Sequence, residues 1–336
     1  MPQKVIDLHC DSVGSLMAGK DLTKSVPRTH VDLPRMREGG VGIQVFAAYV
    51  PPDTAGDKAF GYANDRLSAI EAFVKKDERL VLVETHSDAK AAMASDKTGI
   101  MLSVENGLAI EGSLYRLKEL RDRKVRIMTL VHSQHLPWIE SCTGGGVFSA
   151  GEAAGLSSFG EKVVDAMNDL GIIADLSHSS EKAFWAVLKR SRKPVIASHS
   201  CAYSLCAAAR NLKDDQIKAL GESGGLVGVN FFAAFLSEPF RQSYEKNGYT
   251  VKLETASVHV PRTIIADHID YMLKLAGEDS VALGSDFDGI SATPEGVTGS
   301  DFFPVLEEEL VSRGYTEKRI RKIFSGNFLR VLKAWE

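Results

Sequence analysis

The 336-residue sequence predicts a barrel of eight parallel strands wrapped in helices, a (β/α)8 architecture of the TIM type. Three observations carry that expectation. Eight short apolar runs are continuous instead of alternating, as strands covered on both faces require. Helical patterns separate them along almost the whole chain. Six of the runs end on an imidazole or a carboxylate, and those tips are spread over most of the strands. An open doubly wound sheet would gather such residues at one switch point, so the closed barrel is favoured.

The runs occupy residues 5–11, 42–50, 100–105, 126–132, 172–178, 195–199, 226–232 and 281–286, all rich in Val, Ile and Leu. Between the first two, VDLPRMREGG ends on paired glycines, a helix stop. NDRLSAIEAFVKKDE then shows an apolar face at Leu67, Ile70, Phe73 and Val74. After the fourth run, SSFGEKVVDAMNDLG opens on capping-type serines and carries Val163, Val164, Met167 and Leu170 as its stripe. SSEKAFWAVLKRS, DDQIKALGESGG and RTIIADHIDYMLKLAG follow the fifth, sixth and seventh runs, and FPVLEEELVSRG and TEKRIRKIFSGNFLRVLKAW close the chain. We expect one domain over 1–336, with long connections at 133–158 and 233–260 of a length usual for lids or binding loops. The first holds Pro137, Trp138 and the Gly144-Gly145-Gly146 run, which points to a cover over a site. Those glycines lack the Lys-Ser or Lys-Thr pair of a phosphate-cradling loop.

Composition narrows the function classes. With 44% hydrophobic and 25% charged residues the chain has ample material for a core. A formal net charge of −4 argues against a nucleic-acid or membrane-surface role, since both need a concentrated basic face. The start, MPQKVIDLHCD, shows no signal peptide, and no window approaches the ~20 apolar residues of a membrane span, so a cytoplasmic protein is expected. Cys10, Cys142, Cys201 and Cys206 lack CxxC spacing and fit free thiols, with a Cys201–Cys206 bridge as the alternative.

The strand ends carry the chemistry. His9 and Asp11 are two apart, so both side chains leave one face of a strand and can bind one cation together. Glu105 offers two oxygens and can serve two cations, or else pairs with a nearby Arg or Lys. His178 and His199 on successive tips suit a second cation, although either alone is more often a hydrogen-bonded structural residue. Asp286, in GSDFDG, is the carboxylate available to move a proton, with Asp288 as competitor for that role or for a ligand role. His132 can donate to a developing oxyanion, and Arg210 can clamp a substrate carboxylate or simply sit solvated on the surface. His30, His86, His259 and His268 read as structural, while His135 is left open.

At these residues the chain resembles the membrane (renal) dipeptidase family of zinc metallopeptidases. The matching segments run nearly end to end: DLHCDS, SVENG, TLVHS with the following HLPW, GLSSFG, ADLSHSS, PVIASHSCAYSLCAAARN, GVNF, GSDFDG and GNFLRV. The resemblance implies an amidohydrolase-type barrel with two zinc ions. One would be held by His9 and Asp11 and the other by His178 and His199, with Glu105 bridging. It further implies Asp286 as proton shuttle, His132 as the substrate-polarising histidine and Arg210 as the ligand of a dipeptide's terminal carboxylate. The implied reaction is dipeptide hydrolysis by a hydroxide held between the metals, with tolerance of a C-terminal D-residue, and relatives are commonly homodimers. The chain looks like a soluble bacterial member, since the leader and lipid-anchor tail of mammalian relatives are not seen. Where the family often places tyrosines after Asn230, this chain has Phe231-Phe232-Ala233-Ala234-Phe235. Competing readings are hydrolysis of cyclic amides, lactones or N-acyl amino acids on the same platform, a metal-independent lyase, and a scaffold on a dead barrel.

Overall fold

A computed structural model describes residues 3–145, 155–248 and 258–336. Nine parallel strands form: β1 Val5–Cys10, β2 Val41–Tyr49, β3 Leu80–Val83, β4 Thr98–Glu105, β5 Ile127–Thr129, β6 Ile173–Asp175, β7 Ile196–Ser200, β8 Leu226–Val229 and β9 Val281–Leu283. Eight of them close a ring in the order β1-β2-β4-β5-β6-β7-β8-β9, sealed by the β1–β9 pairing at Asp7 and Leu283. The expected barrel is therefore present, with helices packed around it.

The ninth strand, LVLV at Leu80–Val83, was not among the eight expected runs. It pairs with Thr98–Met101 of β4, while Ser103–Glu105 of the same strand pair with β5. It thus props the lower half of β4 without entering the ring. Its four residues fall at the lower limit of what an apolar run can signal. Three further differences concern helices. Leu114–Asp122 and His86–Ala94 were not anticipated, and the connection at 233–260 contains helices Ala233–Leu236 and Glu238–Lys246. The closing helix is interrupted by a π turn at Lys322–Gly326, so it runs as Glu317–Arg321 and Asn327–Ala334 around it. The expected capping signals hold: Ser157 and Ser180 cap Ser158–Leu170 and Glu181–Arg190, and Gly171 ends the first in the left-handed region. Residues 146–154 of the first long connection and 249–257 of the second, with Gly146, lie outside the described residues.

Two buried aspartates tie strand ends together from inside the barrel. Asp7 accepts the Ser285 N–H at 2.8 Å, the Ser285 hydroxyl at 2.6 Å and the Gln44 amide at 2.9 Å. Asp175 accepts the hydroxyls of Thr129 and Ser198 at 2.5 and 2.6 Å and the N–H groups of Ser177 and Ser198 at 3.0 and 2.8 Å. Each carboxylate satisfies its lone pairs within the wall, which is what lets a polar group remain in a low-dielectric interior. All four cysteines are free; Cys201 and Cys206 donate to the carbonyls of Asn230 and Ala234.

His268 is buried and structural, as expected. Its Nδ1 accepts from the Ala202 N–H at 3.2 Å and its Nε2 faces the Leu236 carbonyl at 3.0 Å. Burial pushes its pKa down to about 4. The unfolded chain takes up this proton near pH 6.5 and the folded one does not, so stability is full above 6.5 and falls as pH drops toward 4. Melting at constant ionic strength should lose about 3 kcal/mol of this contribution across that window, and the loss should shrink in His268→Gln.

Candidate metal centre

The chain leaves the sheet early at several tips. β5, β6 and β9 keep only three paired residues each, so His132, His178 and Asp286 stand beyond the last ladder position. His178 and Asp286 adopt left-handed backbone with φ of 69° and 62°, a conformation that costs non-glycine residues of order 1 kcal/mol. It turns their side chains over the barrel mouth, where His9, Asp11, Glu105 and His199 already point.

Glu105 lies at the centre of the cluster. Its Oε2 is 3.6 Å from His9 Nε2, and its Oε1 is 3.1, 3.6 and 3.6 Å from the Nε2 atoms of His178, His199 and His132. The two oxygens therefore face different histidines. His9 Nε2 also lies 3.4 Å from Asp11 Oδ2 and 3.9 Å from Asp286 Oδ1. The His178 and His199 Nε2 atoms converge to 3.1 Å. Three groups have ligand atoms all within 4.8 Å of one another: His9, Glu105 and His199; Glu105, His132 and His178; His9, Asp11 and Asp286. The structure thus brings all five expected ligands together, and it also draws His132 and Asp286 to ligand distance.

These residues fit metal ions on their own chemistry. His9 Nε2 and Asp11 Oδ1 are buried without hydrogen-bond partners, a costly state for polar atoms that have no other use. Among the described residues no Lys or Arg pairs with Asp11, Glu105 or Asp286; their ionic neighbours are histidines. Burial, with the negative charge of Asp11, holds the Glu105 carboxyl well above its usual range. Burial likewise pushes Asp286 up to about 7. Burial drives His178 and His199 well below their ordinary pKa, leaving neutral rings with free lone pairs. For His9 burial works downward too, yet Glu105, Asp11 and Asp286 outweigh it and carry the ring to about 10. The cluster demands positive charge, and divalent cations on His and carboxylate donors meet that demand. Gly289 closes the loop after Asp286 so tightly that a Cβ there would meet Asp11 Oδ2 at 2.1 Å and Asp286 Oδ1 at 2.6 Å.

Neighbouring groups orient the donors. His199 Nδ1 meets the Ser198 hydroxyl at 2.7 Å, and that hydroxyl donates to Asp175. Asn230 donates to Asp286 Oδ2 at 2.8 Å, leaving Oδ1 toward the cluster. Asp288, a competitor for Asp286 by sequence, is occupied elsewhere. Its Oδ2 accepts from Ser12 at 2.5 Å and its Oδ1 from the His30 N–H at 2.7 Å, while its own N–H donates to His30 Nδ1 at 3.0 Å. It pins the last strand's loop against the first.

The cluster floors a cavity of about 610 Å³ walled by Tyr49, Arg66, Ser133, Thr143, Phe232, Phe235 and Tyr244 among others. Arg210 is on this wall and is buried, contrary to a solvated surface role. It donates to the His199 carbonyl at 3.0 Å, and its Nε has no partner. His132 packs against His178 with ring centroids 4.1 Å apart and planes tilted by 35°, and burial followed by the Arg210 charge lowers its pKa to about 4. Trp138 is not part of this wall. It packs edge-on to Phe159, abuts Gly107 and lines a second cavity of about 660 Å³ instead. Tyr49, Arg66 and Tyr244 were missed by sequence reasoning. Tyr49 is the last residue of β2, paired with Glu105, and its place in that run was the one available signal.

Fold and donor set define a metal-dependent α/β barrel. The chain belongs to the membrane dipeptidase family: the model described as Membrane dipeptidase (Peptidase family M19) matches residues 2–336. Dipeptidase 3 of Mus musculus is 32% identical over 93% of this chain, which spans 59% of that relative's length. A metallopeptidase from Rhodobacter sphaeroides, solved with a phosphinate mimic of the dipeptide L-Ala-D-Ala, superposes with a TM-score of 0.86 at 27% identity, covering 99% of both chains. A second solved structure, the dipeptidase AC, gives a TM-score of 0.85 at 28% identity over 99% of this chain and 98% of its own. No helix among the described residues is long and apolar enough to cross a membrane.

Proposed function

We propose that this protein hydrolyses dipeptides with a free C-terminal carboxylate, using two zinc ions bound by His9, Asp11, Glu105, His178 and His199. The observation that carries the reading is the split of the Glu105 oxygens between His9 on one side and His178 and His199 on the other. Bound divalent cations would supply a Lewis acid for the scissile carbonyl and bring the pKa of a water toward ~7.

The chain's own residues do the rest. Arg210 receives the terminal carboxylate, for which its buried and partly unpaired guanidinium is suited. His132, its Nδ1 3.1 Å from the Ser133 hydroxyl, turns Nε2 toward the Glu105 side and donates to the carbonyl oxygen as negative charge builds there. This requires the Nε2–H tautomer. Asp286, held at one oxygen by Asn230, takes a proton from the attacking water at the other and passes it to the leaving nitrogen. The Rhodobacter relative's ligand supports tolerance of a D-residue at the C-terminal position here. Phe232 and Phe235 leave that wall apolar where hydroxyls would bind, although Tyr49 and Tyr244 restore two elsewhere.

A panel of L,L- and L,D-dipeptides against N-acyl amino acids, cyclic amides and lactones tests the reading. Turnover of dipeptides is expected; turnover confined to the other classes would replace it with another hydrolase activity on the same platform.

A further inference from the structure

The site cavity has a second arginine that the reaction as described does not use. Arg66 lies on the helix Ala59–Lys76, which follows β2, and lines the cavity beside Tyr49. It has no carboxylate partner among the described residues. The positions three and four residues away on its helix are Tyr62, Ala63, Ala69 and Ile70, so the usual helical ion pair is unavailable. Its guanidinium stacks on the Tyr62 ring with Cζ 3.5 Å from the centroid and also donates to the Tyr62 hydroxyl. The stacking fixes the planar fork in place while leaving other N–H groups unspent, a preorganised receptor for a carboxylate. Burial lowers its pKa, so an anion there would meet a partly desolvated cation, where pairing is stronger than at an open surface.

Its place in the barrel says which part of a substrate it meets. Arg210 follows β7, and β2 is four strands from β7 in either direction around the ring. The two arginines therefore stand on opposite rims, with the Glu105 cluster between them. A dipeptide whose terminal carboxylate is on Arg210 and whose scissile bond is over the cluster directs its N-terminal residue toward β2. The remaining charged groups of that wall are mostly acids, Asp11, Glu105, Asp286 and Asp288. Arg66 is where a further negative charge would be welcome.

We propose that Arg66 selects substrates by pairing with a carboxylate side chain on the N-terminal residue, so that dipeptides beginning with Glu or Asp are favoured. The inference rests on the dipeptidase reading above.

The test is kcat/KM for Glu-Ala, Gln-Ala, Ala-Ala and Ala-Glu on zinc-loaded protein, in the native chain, Arg66→Gln and Arg66→Lys. The native chain should prefer Glu-Ala to its isostere Gln-Ala by about tenfold or more, carried by KM, as one charge-assisted pair provides. Arg66→Gln should remove most of that ratio and Arg66→Lys should keep part of it, both with native-like melting. A native ratio near one, a ratio unchanged in Arg66→Gln, or a gain seen for Ala-Glu instead would each overturn the proposal. Hydrolysis of no dipeptide at all would overturn the reading beneath it, a distinguishable result.

Discussion

Asp286→Asn should retain its metal and lower kcat by about 10²–10⁴-fold, the range for a lost general acid–base group. The substitution is nearly isosteric, and an amide oxygen can still accept from Asn230, which now holds Asp286 Oδ2 at 2.8 Å. What disappears is the ability to take and return a proton at the oxygen facing His9. The expected ligands His9, Asp11, Glu105, His178 and His199 are untouched, so metal content measured by elemental analysis should match the native protein. Because the carboxylate's contribution arises in proton transfer and not in holding substrate, KM should change little beside kcat. Unchanged turnover would remove Asp286 from the proton path. Asp288 would be a poor replacement, since Ser12 and the His30 N–H already occupy its two oxygens.

Glu105→Gln should show the other large effect, and of a different kind. Among the described residues Glu105 is the one side chain that faces His9 with one oxygen and His178 and His199 with the other. An amide keeps the shape but removes the charge and one acceptor, so at least one equivalent of metal should be lost at purification. Turnover should fall by on the order of 10³-fold, corresponding to the several kcal/mol a Lewis acid contributes. The metal-free variant should nevertheless melt higher than the metal-free native protein. Glu105 is buried beside Asp11 and Asp286, and desolvation, aided by those neighbours, pushes its carboxyl well above the usual range. Removing that buried acid relieves the cost, a trade of stability against function common at such sites. Full metal content in Glu105→Gln would contradict a bridging role.

The barrel was legible in the sequence because its ring strands are continuous apolar runs, most of which end on polar residues. VIDLHCD and IIADLSH show both features within seven residues. The run LVLV was not, since four residues between a charged helix end and a capped helix start carry too little pattern. The candidate metal-binding residues were legible because each marks a strand tip, a position definable in one dimension. The cavity wall was not. Arg66 and Tyr244 come from helices whose approach to the mouth depends on packing, and nothing in the local sequence distinguishes them from solvated residues. Trp138 misled in the opposite sense: an aromatic in a long connection suggested a cover, but it is tucked against Gly107. Asp7 and Asp175 sat inside runs already counted as strands, and their hydrogen-bonding roles emerge only when Ser285 and Ser198 arrive from other strands.

The most direct test of the account is a zinc titration of the metal-free protein, following hydrolysis of L-Ala-D-Ala and metal content together. Activity should be absent without metal, rise with added zinc and level off near two equivalents per chain. Full activity in the metal-free protein, or none with two equivalents bound, would contradict it.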